Sequence, residues 1–174
     1  MTKDGGALNQ TIQRRTIVMD VEAFLADSVT NAEGKLYVLG AAWNILHTQA
    51  LPFRQARIGI GLIFRVPYTA TNQIHRFEVY LVGADGQEVP LGDAPPGIEA
   101  SDGKIRRLGG QFNVGRPPIV QPGDEQLVAV AMNLDGLEFS RADSYSFKIE
   151  LDGTVVNVLP FRVNHAVQPA PMMS

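Results

Sequence analysis

Side chains of an extended chain point alternately to opposite faces, so a strand with one face in a core carries apolar residues at every second position. Residues 56–66, ARIGIGLIFRV, follow that rule without a break. Ala56, Ile58, Ile60, Leu62, Phe64 and Val66 share one face, while Arg57, Gly59, Gly61, Ile63 and Arg65 share the other. The same period runs through TIVMDVEAFLAD, where Ile17, Met19, Val21, Ala23 and Leu25 oppose Asp20 and Glu22. It recurs in FEVYLV, with Phe77, Val79 and Leu81 inward, and in YSFKIEL, with Tyr145, Phe147, Ile149 and Leu151 inward. Helical spacing competes nowhere along the chain.

Turn residues fall between these runs, as hairpins require. Asp85-Gly86 follows FEVYLV, Asp152-Gly153 follows YSFKIEL, and Asn31 to Gly34 marks a looser turn after the first run. The stretches GDAPPGIEASDG (92–103) and VGRPPIVQPGDE (114–125) read as loops, because proline breaks a strand ladder and glycine weakens one. With IRRLGGQFNV and EQLVAVAMNL added, the count reaches about eight or nine strands. Many short strands joined by turns predict an all-β, antiparallel two-sheet β-sandwich, immunoglobulin-like or jelly-roll, with a closed barrel as the alternative. A chain of 174 residues fits one domain, able to bury about 70% of its unfolded surface. That domain is expected at 14–164, between flexible tails at 1–13 and 165–174.

Composition narrows the function classes. Eighteen acidic residues face fifteen basic ones, a net charge of -3, so no basic excess invites nucleic acid or an anionic membrane. The absence of cysteine removes disulfides, thiolate metal sites and thiol nucleophiles. No window approaches the roughly 18 uncharged apolar residues of a membrane span, and the first dozen residues hold no signal-peptide core. A cytoplasmic location is expected. Eleven arginines against four lysines read as a coding bias and not as a binding signature.

Reactive constellations are hard to assemble from what remains. A G-x-S-x-G elbow, which exposes a nucleophilic serine at a strand-to-helix turn, is absent. His47, His75 and His165 lie far apart, with no second ligand at helix or hairpin spacing, and are expected on the surface or in loops. Asp20 and Glu22 share a strand face about 7 Å apart, within reach of a paired-carboxylate geometry; alternation explains them more simply as solvent-facing residues. Asp93, Asp102, Asp124, Asp135 and Asp143 could hold calcium if their loops converged, although aspartate also starts turns through its own backbone. The glycines of RIGIGLIFR lack the third glycine and the helix of a dinucleotide fingerprint. Neither cofactor nor metal nor catalytic residue is expected.

Two surfaces stand out instead. Arg57, Gly59, Gly61 and Arg65 form a flat strip with a guanidinium at each end, which a neighbouring group could approach closely or an adjacent aromatic could cover. The stretch NAEGKLYVLGAAWNIL (31–46) is apolar on both faces: Leu36, Val38 and Ala42 on one, Tyr37, Leu39, Ala41, Trp43 and Ile45 on the other. Read as a strand in the middle of a sheet, it needs two covers, one of which could be another subunit. Tyr37 and the single tryptophan, Trp43, are the residue types that anchor interfaces.

The succession EGKLYVLGAAW, PYTATNQIHRFEVYLVGADG and YSFKIELDG resembles short bacterial proteins grouped only as a domain of unknown function, over about residues 16–163. That resemblance implies a small β-sandwich and carries no activity, cofactor or site residue. The expected function is a non-enzymatic scaffold or assembly subunit acting through protein contacts or self-association. A small-ligand or carbohydrate-binding module using the 92–103 and 114–125 loops is the first alternative, and a viral or phage decoration component the second.

Overall fold

The computed structural model describes residues 19–98, 100 and 102–166. The 1–13 tail, Ile17 of the first alternating run and residues 167–174 of the C-terminal tail lie outside the described residues. Thirteen strands and one 3₁₀ turn (Tyr68–Ala70) are described. One sheet has three strands, β1 (Asp20–Ala26), β5 (Phe53–Pro67) and β11 (Glu125–Phe139), with β5 in the middle. The other large sheet takes β10 (Arg107–Asn113), β6 (Ile74–Gly83), β12 (Ser144–Leu151), β13 (Thr154–His165) and β4 (Ile45–Thr48) in that spatial order, with β7 (Glu88–Val89) beside β6. Two small two-stranded sheets complete it: β2 (Ser28–Ala32) with β3 (Lys35–Leu39), and β8 (Gly92–Asp93) with β9 (Lys104–Ile105).

The all-β class follows from the alternation, and the details depart from it in three ways. The described residues form thirteen strands where eight or nine are expected, because the two-residue ladders β8 and β9 fall in and beside a stretch read as loop and because residues 28–48 divide into β2, β3 and β4. The pairing is antiparallel except for one edge, where β4 runs parallel to β13 with Arg162 opposite Ile45. Ala56, expected on the inner face of β5, is exposed, whereas Ile58, Ile60, Leu62, Phe64 and Val66 are fully buried. β13 runs through His165, and Ala166 donates its N–H to the Thr48 carbonyl at 2.9 Å.

Both large sheets contribute to one core. Phe64 from β5 meets Phe77 of β6 and Phe112 of β10 at ring separations of 5.2 and 4.9 Å. Phe139, Tyr145, Phe147 and Phe161 form a second aromatic group, Phe139 lying edge-on to Tyr145 and Phe161. Burying each such ring stabilises the fold by roughly 1.5–3 kcal/mol in transfer free energy. Turn chemistry sets the registers that make this packing possible. Asp152 and Gly153, at φ 49° and 81°, form the two-residue loop between Leu151 and its partner Thr154, the left-handed pair a tight hairpin needs. Between β2 and β3 the same role falls to Glu33 and Gly34, at φ 53° and 73°. Pro160 stands in β13 just before the β4 ladder begins at Arg162, so its missing N–H interrupts no pairing on that side.

Candidate functional site

The stretch 31–46 does not run through the middle of a sheet. After β3, Gly40 and Ala42 adopt φ 63° and 68°, and the extended chain breaks. A Cβ on Gly40 would overlap the Asp27 carboxylate, so glycine is needed there for both conformation and space. The Asp27 N–H bonds to the Leu39 carbonyl at 3.0 Å and the Ala42 N–H to the Leu25 carbonyl at 3.3 Å, which fixes the break beside the end of β1. Beyond it Trp43 lies edge-on to Phe161 at 6.0 Å, half-buried, with its indole Nε1 buried and unpartnered. The single two-faced strand predicted here is thus two separate pieces of chain, an exposed hairpin strand and a core-packed indole.

Side-chain amides hold that hairpin against the three-stranded sheet. Asn133 of β11 pairs with the main chain of Val29: its Oδ1 accepts the Val29 N–H at 3.1 Å, and its Nδ2 donates to the Val29 carbonyl at 2.8 Å. Asn31 donates from Nδ2 to the Ala129 carbonyl at 2.5 Å. Gly59, opposite Asn133 in the ladder, makes room, since a Cβ there would sit 3.0 Å from the Ser28 backbone. Val29 is buried by this contact. Across β2 and β3, Val29 pairs with Val38, while Thr30 pairs with Tyr37 and Ser28 with Leu39. Alternation therefore turns Tyr37 and Leu39 to the opposite face of the hairpin from Val29, where they are 58% and 69% exposed.

The glycine strip of β5 is filled from within the chain. Phe24 stands directly opposite Gly61 and its ring occupies the space a Cβ would take, the aromatic cover that lets a glycine sit in a strand. The flanking arginines have partners too. Arg57 binds Asp135 through Nε at 2.6 Å and Nη2 at 3.1 Å, and that hydrogen bonding holds the Asp135 carboxyl below the usual carboxylate range. Arg65 reaches Glu22 at 2.9 Å through Nε, with Asp20 and Glu125 at 4.0 and 3.8 Å, and Glu22 raises the guanidinium further above its ordinary value. Asp20 and Glu22 do share a face, and the group between them is this arginine.

The other expected candidates are dispersed. The 92–103 loop precedes β10 and the 114–125 loop follows it, so they occupy opposite ends of that strand. Near the first, a cleft of about 290 Å³ is lined by Arg54, Leu91, Asp93, Lys104, Glu138 and Ser140, with Lys104 paired to Asp93 at 2.6 Å. The second carries Ile119, 84% exposed, and is tied down through Arg116, which stacks on the Tyr68 ring at 4.0 Å and donates from Nε to the Thr71 hydroxyl at 2.8 Å. Asp102 binds Arg106, which lowers its carboxyl to about 2, while Asp124 and Asp143 accept backbone N–H groups of Gln121 and Ser144. No three His, Asp or Glu side chains converge to hold a metal ion among the described residues.

One feature has no counterpart in the spacing of the sequence. Arg107 of β10 meets Glu88 at 2.7 Å, Glu78 at 2.9 Å and Glu150 at 3.3 Å, and stacks on Tyr80 at 4.0 Å. Three strands supply those carboxylates, so only the sheet brings them together. His75 corrects an expectation outright: it is buried at the start of β6 and not in a surface loop, because its ring packs beside Phe112 at 5.5 Å.

These features define an all-β protein of several sheets with large apolar side chains exposed together on a docked hairpin. The chain belongs to a family of unknown function, DUF6941, and the match spans residues 22–164. No curated protein matches it. Among the described residues no helix is long and apolar enough to cross a membrane.

Proposed function

We propose that this protein is a non-enzymatic β-sandwich, its three-stranded and six-stranded sheets enclosing one core, that works through protein contacts as a self-associating scaffold or assembly subunit in the cytoplasm. The observation that carries the reading is the pair Tyr37 and Leu39, large apolar side chains exposed side by side on one face of the β2–β3 hairpin. Val38, on the opposite face, is also 42% exposed. Exposed apolar groups gathered on one element favour association, and tyrosine is a common anchor of interfaces. Arg57, Gly59, Gly61 and Arg65 support that hairpin and its sheet: their space and charge are already satisfied inside the chain. Trp43 likewise serves the core beneath.

The test is solution mass across a concentration series, by light scattering on the full chain. The wild type should exceed the 18.9 kDa of one chain and dissociate on dilution, while Tyr37→Ser with Leu39→Ser should be monomeric at every concentration. A wild type that stays monomeric throughout overturns the self-association reading.

A further inference from the structure

Among the buried titratable groups His75 has the least ordinary surroundings. Its ring is 8% exposed, and both nitrogens face acceptors. Nδ1 lies 2.8 Å from Asp152 Oδ2 and Nε2 lies 2.9 Å from the Ala70 carbonyl oxygen. The Asp152 carboxylate is itself committed as an acceptor, because its Oδ1 takes the Arg76 N–H at 2.8 Å. A neutral imidazole has one N–H and one lone pair. Either neutral tautomer therefore points a lone pair at an oxygen, and only the imidazolium donates to both.

The charged and polar surroundings are few. Asp152 comes from the β12–β13 turn, the 3₁₀ turn offers only the Ala70 carbonyl, and β10 presents the apolar ring of Phe112. Arg116, the nearest cation of the 114–125 loop, is turned to Thr71 and Tyr68. The 3₁₀ turn and the residues just after it anchor that loop: Tyr68 N–H donates to the Asp124 carbonyl at 3.1 Å and Asn72 N–H to the Val114 carbonyl at 2.8 Å. Both ends of the loop are thus tied to the short segment whose Ala70 carbonyl His75 holds.

We propose that His75 is a proton-operated latch: protonated, it bridges Asp152 and Ala70 and seats the 114–125 loop, and loss of the proton loosens that end of the molecule. The sign follows from the hydrogen bonds. The protonated ring can donate to both oxygens and the neutral ring to only one, so the bridge is complete with the proton on and broken when it is lost.

Asp152→Asn separates the latch from ordinary packing. An asparagine tolerates the left-handed conformation at this position; its Oδ1 can still accept the Arg76 N–H, and its Nδ2 can donate to the lone pair of a neutral ring whose Nε2–H serves Ala70. That variant keeps the contacts without the proton. The measurement is nitrogen-resolved NMR of the His75 ring, with protection factors of the Tyr68 and Asn72 amides, from pH 5 to 9. In the wild type both ring nitrogens should carry protons at pH 5, and amide protection should fall several-fold in step with the ring's titration; in Asp152→Asn protection should be independent of pH. A ring with a single protonated nitrogen at pH 5 overturns the proposal, as does loop protection that ignores the titration. The wild-type spectrum decides even where the variant folds poorly.

Discussion

Two stretches of this chain look alike on paper and end in opposite environments. RIGIGLIFRV and KLYVLGAAWNIL are both rich in apolar residues and both interrupted by glycine. The first becomes the middle strand of a sheet, with five consecutive inner residues fully buried and its glycines covered by Phe24 and by the hairpin at Ser28 and Val29. The second divides into an exposed hairpin strand and a core-packed tryptophan. Backbone conformation makes the difference. Gly59 and Gly61 remain extended and lend space to neighbours, whereas Gly40 takes a positive φ against Asp27 and ends its strand. A glycine in an apolar run can mean close approach or a stop, and the choice rests with what lies next to it in space.

That contrast can be broken most directly at its buried half. Phe64→Ala removes a fully buried ring in contact with Phe77 and Phe112 and should destabilise the protein by about 3–5 kcal/mol in urea denaturation. A loss near that of a surface substitution would mean β5 is not the middle of the core. Trp43→Ala tests the hinge between the two halves. The ring is half-buried and its Nε1 is unpartnered, so the loss should fall below the ~3 kcal/mol lower end for fully buried rings and should not vary with protein concentration. Concentration dependence would instead place Trp43 in a subunit contact.

Asn133→Ala addresses what holds the exposed half in place. It leaves the Val29 N–H and carbonyl without their partner and should destabilise by about 1–3 kcal/mol, with faster amide exchange at Val29 and unchanged exchange in β12. Equal loosening of β12 would show the hairpin to be part of the cooperative core. Tyr37→Ser with Leu39→Ser should alter monomer stability by less than about 0.5 kcal/mol while abolishing self-association, so a large loss of stability would move these residues from surface to core.

The smallest expected effect is electrostatic. Arg57 depresses the Asp135 carboxyl, so the pair's contribution is present above the ordinary carboxylate range and is lost as the pH falls through the folded-state midpoint. Arg57→Ala should return the Asp135 titration, followed by carboxyl carbon NMR, to about 3.9. An unchanged midpoint would leave the strip's charges unpaired.

By itself the sequence determined the all-β class, the inner faces of β5, β6 and β12, and the Asp152-Gly153 and Asp85-Gly86 turns. Alternation and turn chemistry are local consequences of backbone geometry, and they are written residue by residue. It also carried the resemblance that the family match over 22–164 bears out. Tertiary structure alone decided that β4 joins β13 in parallel, that Asn133 captures Val29 from 104 residues away, that Arg107 gathers carboxylates from three strands, and that His75 is buried between two acceptors. Each of those depends on which strands become neighbours, and strand adjacency is chosen by the whole core at once. A side chain's partner across a sheet leaves no periodic trace in the chain that carries it.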